Sequence, residues 1–145
     1  MRTCSEVMTQ NPVYCLPGDP VAKVAKLMKS TDIGSVPIVA DEHSKRLVGI
    51  VTDRDLAMKM VAEGRDVDSS NAEDVMSRGV VTCRAEDDLE KALDAMSGNQ
   101  LRRIPVVDDN GKIVGIIAQA DVATRVNRSE ATAAMVKEIS QSHSK

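Results

Sequence analysis

The sequence predicts an α/β (α+β) fold in which two β-α-β-β-α repeats pack about a pseudo-twofold axis. An internal duplication carries most of that reading. Val7-Met8-Thr9 returns 68 residues later as Val75-Met76-Ser77, and nine of the 33 positions from 7 to 39 are identical at that shift. The shift then falls to 66, pairing Val48-Gly49-Ile50 with Val114-Gly115-Ile116 and Asp55 with Asp121. The first copy thus carries two extra residues in the polar loop 40–46, where insertions are tolerated. The second observation is the patterning inside each copy, where short apolar runs alternate with helical periodicity.

Each element follows in order. Apolar runs at 13–16 and 80–83 open the copies as strands. In copy one a helix is expected with Asp19 as its N-cap and Pro20 at its first position. Its apolar stripe, Val21, Val24, Ala25 and Met28, falls at helical spacing. In copy two Leu89, Ala92, Leu93 and Met96 repeat the stripe, and Gly98 suits the stop. The runs 36–39 and 47–51 are almost continuously apolar, as strands covered on both faces are. In copy two the run 104–107 and the run 113–118 flank Asp108-Asp109-Asn110-Gly111, and Asn-Gly is a hairpin signal. A second helix starts near Thr52 or Ala118, and Gly64 ends it in copy one. The polar stretch 65–71 reads as a linker, 130–139 as one more helix, and 141–145 as a frayed tail. The expected division is residues 1–68, residues 69–128, and a C-terminal helix and tail at 129–145. A unit of about 60 residues buries too little surface alone, so two must share a core.

Composition narrows the function. The 145 residues carry 19 Lys+Arg against 22 Asp+Glu, a formal net charge of −3, with one Tyr and no Phe or Trp. Nucleic-acid binders of the stacking kind need aromatic platforms in a basic groove, so that role is disfavoured. No run of eighteen apolar residues offers a membrane span, and the first residues lack an apolar secretory region. Three cysteines without Cys-x-x-Cys argue against a disulfide framework or a zinc site and fit a reducing, cytoplasmic setting. His43 and His143 stand apart in polar segments, so no metal ligand is assigned. Cys15 and Cys83 occupy matched strand positions and read as small buried apolar residues, and the eight methionines as core filler.

The paired motifs resemble the cystathionine-β-synthase (CBS) domain, and two in tandem are similar to a CBS pair, or Bateman module. The resemblance spans about residues 6–126. It rests on Val7-Met8-Thr9 before Pro12-Val13, on Ser35-Val36-Pro37-Ile38-Val39, and on Gly49-Ile50-Val51-Thr52-Asp53-Arg54-Asp55. The last fits the family's Gly-hydrophobic-x-Thr/Ser-x-x-Asp/Asn signature. Copy two keeps Gly115 and Asp121 but has Ala118 in place of the hydroxyl residue.

The resemblance implies adenosine-containing ligands in clefts between the two repeats. AMP, ADP or ATP come first, with S-adenosylmethionine or NAD as second choices, and no cofactor beyond that regulatory ligand. Asp55 and Asp121 would accept hydrogen bonds from a ribose diol. Thr52 and the amides after it would receive phosphate, with Arg54 adding charge. By resemblance the base lies against Pro12, Val13 and Tyr14 with Ile33, Gly34, Ser35 and Val36 in copy one. In copy two it lies against Val80, Val81 and Thr82 with Leu101, Arg102, Arg103 and Ile104. Arg102 and Arg103 could hold phosphate where Ala118 cannot.

The residues also admit a plainer reading. Thr52-x-x-Asp55 is a helix capping box, worth about 1 kcal/mol. Arg102 and Arg103 can equally be an exposed basic pair. No nucleophile–base pair, metal cluster or NTPase phosphate loop is present, so no catalysis is expected. The expectation is a stand-alone regulatory module and homodimer that signals to a separate protein partner. The alternative is a structural or dimerisation module with vestigial sites.

Overall fold

A computed structural model describes residues 2–125. The expected helix at 130–139 and the tail lie outside them. The chain divides into two compact units, one made of residues 13–80 and the other of residues 1–12 with 81–145. This partition is not that of the sequence copies. Each unit takes its body from one copy and its leading segment from the other.

The second of these units holds a four-stranded sheet in the order β1 (Thr9–Gln10), β6 (Ile113–Ala118), β5 (Arg103–Val107), β4 (Cys83–Arg84). β1 and β5 run antiparallel to β6, and β4 runs parallel to β5. The unit of residues 13–80 builds the same arrangement from β2 (Ser35–Val39) and β3 (Leu47–Thr52), which pair antiparallel. A parallel bridge joins Cys15 to Ile38 on one side, and an antiparallel bridge joins Ser77 to Ile50 on the other. The expected opening strands are therefore short: a single bridge at Cys15, and two residues in β4. β2, β5 and β6 bury most of their side chains, as the apolar runs require, whereas β3 buries only the Val51 side chain and leaves Leu47, Val48 and Ile50 half-buried. The turn after β5 closes with Gly111 at φ 78 and its N–H donating to Asp108 O at 3.0 Å.

The helices show why the motifs repeat. α2 (Val21–Thr31) and α5 (Leu89–Gly98) cover their hairpins with Val21, Val24 and Met28 in one and Leu89, Ala92, Leu93 and Met96 in the other, while Ala25 of the expected stripe is exposed. Burying each such side chain contributes roughly 1.5–3 kcal/mol. Pro20, not Asp19, is the residue at the helix N-cap. Asp19 instead accepts from Leu16 N–H at 2.8 Å and stiffens the preceding turn, as Asp87 does from Arg84 N–H at 2.9 Å.

The leading segments close each unit. α1 (Cys4–Val7) and α4 (Ala72–Val75) are single turns whose chains run against the opposite copy. Cys4 N–H donates to Asp87 O and Ser5 N–H to Ala85 O, both at 2.9 Å. In the other unit Ala72 N–H donates to Asp19 O at 2.8 Å and Glu73 N–H to Pro17 O at 3.0 Å. The stretch 65–71, exposed through residue 69 as a linker is, is tied down at its end. Ser70 is buried, and its carbonyl accepts from Val21 N–H at 3.0 Å.

The two sheet glycines now have a cause. A Cβ built on Gly49 would lie 2.6 Å from Met76 Sδ and 3.1 Å from Ser77 O. One on Gly115 would lie 2.5 Å from Met8 Sδ and 3.0 Å from Thr9 O. The Val-Met-Thr/Ser segment of each copy lies directly over the glycine of the other, so both motifs must recur together.

Candidate functional site

In the unit of residues 13–80, β3 ends at Thr52 and runs into α3 (Asp53–Asp55), which widens into a π-helical turn at Leu56–Val61. Wide turns of this kind often mark functional places. Thr52 Oγ1 accepts from Asp55 N–H at 3.0 Å, and Asp55 Oδ2 accepts from Thr52 N–H at 2.9 Å. The capping box is thus fully formed. Asp55 is only 8% exposed. Its Oδ1 accepts from Ser77 Oγ at 2.9 Å and pairs with Lys59 Nζ at 3.4 Å, and Lys59 also donates to Val75 O at 3.0 Å. A carboxylate this buried requires such partners.

The amides after Thr52 already have acceptors. Asp53 N–H donates to Gly34 O at 2.8 Å, Arg54 N–H to Asp53 Oδ1 at 2.8 Å, and Asp55 N–H to Thr52. A phosphate beside this turn would therefore meet the exposed Arg54 side chain rather than a bare set of amides. Ser35 lies opposite Thr52 in the hairpin register, which brings Ile33, Gly34, Ser35 and Val36 to the same edge as Thr52, Arg54 and Asp55.

Val13 and Tyr14 lie along the far side of β2, since Cys15 bridges Ile38 in parallel. There a depression of about 520 Å³ is lined by Val13, Tyr14 and the α2 residues Lys23, Lys26, Leu27 and Ser30. Lys45 Nζ sits 5.7 Å from the Tyr14 ring centroid, within cation–π range. Pro12 and Val13 fall in different units, as do Val80 and Val81.

The other unit places Asp121 at the equivalent point of α6 (Gln119–Arg125), half-buried, with Thr9 Oγ1 donating to Asp121 Oδ2 at 3.1 Å. Gln119 N–H donates to Arg102 O at 2.8 Å, as Asp53 N–H does to Gly34 O. Arg103 pairs with Ala118 in the β5–β6 register and feels the charge of Asp121 on the following helix. Burial pushes the Arg103 guanidinium down and Asp121 pulls it back up. Arg102 is exposed, Ile104 is buried, and Leu101 is half-buried at the start of the strand. Val81 and Thr82 lead into β4.

The partners of the two acids, Ser77, Thr9 and Lys59, escape the sequence reading. Lys59 stands four residues after Asp55, a spacing that itself signals an ion pair. Ser77 and Thr9 close the repeated Val-Met-Thr/Ser motif, and only the exchange of leading segments brings them to an acid.

The family model for the CBS domain matches residues 4–62 and 72–128. The chain belongs to the CBS-domain family, as a tandem pair. The CBS domain-containing protein YhcV of Bacillus subtilis is 34% identical over 140 residues, covering 97% of this chain and 96% of its own. The uncharacterized protein MK0525 of Methanopyrus kandleri is 36% identical over 124 residues, 84% of this chain, and the chain spans 62% of its length. Among solved structures, CBSX2 of Arabidopsis thaliana in complex with AMP superposes with a TM-score of 0.72 at 26% identity, covering 85% of this chain and 94% of that one. The CBS domain pair of MJ0100 in complex with 5′-methylthioadenosine and S-adenosyl-L-methionine gives 0.72 at 28% identity, with the same coverage. Among the described residues no helix is long and apolar enough to cross a membrane, and no group of three or more His, Cys, Asp or Glu is placed to hold a metal ion.

Proposed function

We propose that this chain is a regulatory sensor that binds an adenosine-containing ligand, AMP, ADP or ATP foremost, and conveys the bound state to a partner protein through a change of conformation or assembly. S-Adenosylmethionine and NAD are the second choices. The observation that carries this is the acid held at the same point of both units, Asp55 and Asp121, each at the end of a β-hairpin and each accepting from a hydroxyl of the opposite copy. The relatives solved with AMP and with S-adenosylmethionine support the ligand class. The ribose diol would compete with Ser77 or Thr9 for these carboxylate oxygens. Arg54 in one unit, and Arg102 with Arg103 in the other, would carry the phosphates. Ligand binding shifts a partner only if it discriminates between two arrangements of the protein. A homodimer in the cytoplasm is the setting we assign it.

A second reading has its own support. The complete capping box and the Lys59 and Ser77 contacts give Asp55 a full structural role without any ligand. The chain would then be a dimerisation or scaffold module, at least at that acid. Calorimetric titration with AMP, ADP, ATP, NAD and S-adenosylmethionine separates the two. The sensor reading expects binding that weakens at least tenfold in Asp121→Ala. Absence of binding by all five, in a protein whose unfolding transition stays cooperative, establishes the scaffold reading instead.

A further inference from the structure

Repeat arithmetic pairs Cys83 with Cys15, but the fold places Cys83 against Cys4. Both belong to one buried cluster with Val7, Leu89 and Ile104. The backbone forces them together. Cys4 and Ser5 donate to Asp87 O and Ala85 O, so the first turn of the chain lies along the loop that leaves Cys83. The Cys4 and Cys83 side chains interact directly. Each thiol donates to a backbone carbonyl at 3.9 Å, Cys4 to Asp88 O and Cys83 to Pro105 O. The other unit supplies the comparison. Ala72 takes the place of Cys4, with the same pair of backbone bonds, and lies in one buried cluster with Cys15. One unit thus holds two facing thiols where its twin holds one thiol and a methyl group.

We propose that Cys4 and Cys83 are a thiol pair that closes to a disulfide by exchange with a small-molecule disulfide such as oxidised glutathione. The staple pins the leading segment, which carries Met8 over Gly115 and Thr9 to Asp121. The contact with Cys83 holds the Cys4 thiol below its ordinary range, and that contact with burial pushes Cys83 up; Cys4, on the short leading turn, is the attacking sulfur. Local opening of the four-residue α1 exposes it. The Cys4 thiolate attacks one sulfur of the glutathione disulfide, forming a mixed disulfide and releasing one glutathione thiolate. Cys83 then loses its proton and attacks the Cys4 sulfur, forming the Cys4–Cys83 bond and releasing the second glutathione thiolate. Two protein thiols are oxidised, one glutathione disulfide is reduced to two thiols, and the two protein protons pass to those thiolates.

The test is to incubate the full, reduced chain with oxidised glutathione and map peptides without reduction. The expected result is a Cys4–Cys83 cross-linked peptide, an intact mass lower by two hydrogens, and Cys15 still alkylatable. Because the closed loop is long, the oxidised form should unfold about 10 °C above the reduced form. That difference should vanish in Cys83→Ala. As a gain-of-function arm, Ala72→Cys should link position 72 to Cys15 under the same treatment. A stable glutathione adduct on Cys4, a bridge involving Cys15 in the unmodified chain, or no reaction overturns the proposal. A Cys4–Cys83 bridge that forms without raising the unfolding temperature overturns the pinning of the leading segment.

Discussion

The two units share one frame and fill it differently. The contacts of the frame recur pair by pair. Met76 lies over Gly49 as Met8 lies over Gly115, and Ser77 donates to Asp55 as Thr9 donates to Asp121. The fillings diverge at the sites. Asp55 sits in a capping box with Lys59, whereas Asp121 follows Ala118 and acts by charge on Arg103. The lining of the Tyr14 depression is kept only in part, since Val13 and Lys23 recur as Val81 and Lys91 while Thr82, Asp94 and Ala95 stand where Tyr14, Lys26 and Leu27 do. Duplication kept what folding needs in both halves, and let the chemistry at the ends of the hairpins differ. Two unlike candidate sites follow from one duplicated frame.

The largest effect comes from breaking the shared frame. Gly49→Val and Gly115→Val each drive a side chain into a methionine and a backbone carbonyl of the leading segment. Each should cost about 3 kcal/mol, in line with overpacking a buried contact. Urea unfolding measures it. Similar losses at both positions would establish the equivalence of the two frames, while a loss at one alone would break it.

Much of this was legible in the sequence. The duplication exposed the repeat unit, because paired residues make the same contacts in each half. The helix stripes and the Asn-Gly turn followed from local periodicity and turn chemistry. The exchange of leading segments was not legible. Identity between Cys15 and Cys83 reports equivalent places, and says nothing of which residue lies against which. For the same reason Ser77 and Thr9 went unassigned, as their acids are 22 and 112 residues away. Polar composition makes 65–71 read as a linker, and residues 65–69 are exposed as a linker's are, yet Ser70 offers its carbonyl to Val21 and is buried in doing so. Asp19 was misplaced as a cap because it binds backward to Leu16, a choice that one residue type permits in either direction.

The next contrast lies in how the units answer alkali. Burial, helped by Asp19, pushes the Cys15 thiol above its ordinary range. In the unfolded chain the same thiol releases its proton near pH 9. The folded form holds the proton there and the unfolded form does not, so rising pH favours unfolding. Stability should fall above about pH 8.5, by up to roughly 1.4 kcal/mol per pH unit for one proton. Whatever it does to stability at neutral pH, Cys15→Ala should remove the Cys15 share of that slope, leaving the share of Cys83, which is likewise pushed up. Denaturation midpoints from pH 7 to 10 are the measurement, and an unchanged slope in Cys15→Ala would remove Cys15 as its source.

The smallest expected effect asks whether the two acids can be made alike. Thr52 supplies a hydroxyl to Asp55 N–H, and Ala118 has none to supply. Thr52→Ala should cost about 1 kcal/mol, the usual worth of an N-cap. Ala118→Thr should add a few tenths to about 1 kcal/mol if its hydroxyl reaches the Asp121 amide as Thr52 reaches that of Asp55. The pair is most informative when read with ligand. If AMP affinity falls in Thr52→Ala by more than its stability loss explains, Thr52 touches the nucleotide as well as the helix. If Ala118→Thr gains stability without changing affinity, capping and binding are separate roles, and the difference between the two acids belongs to the fold alone.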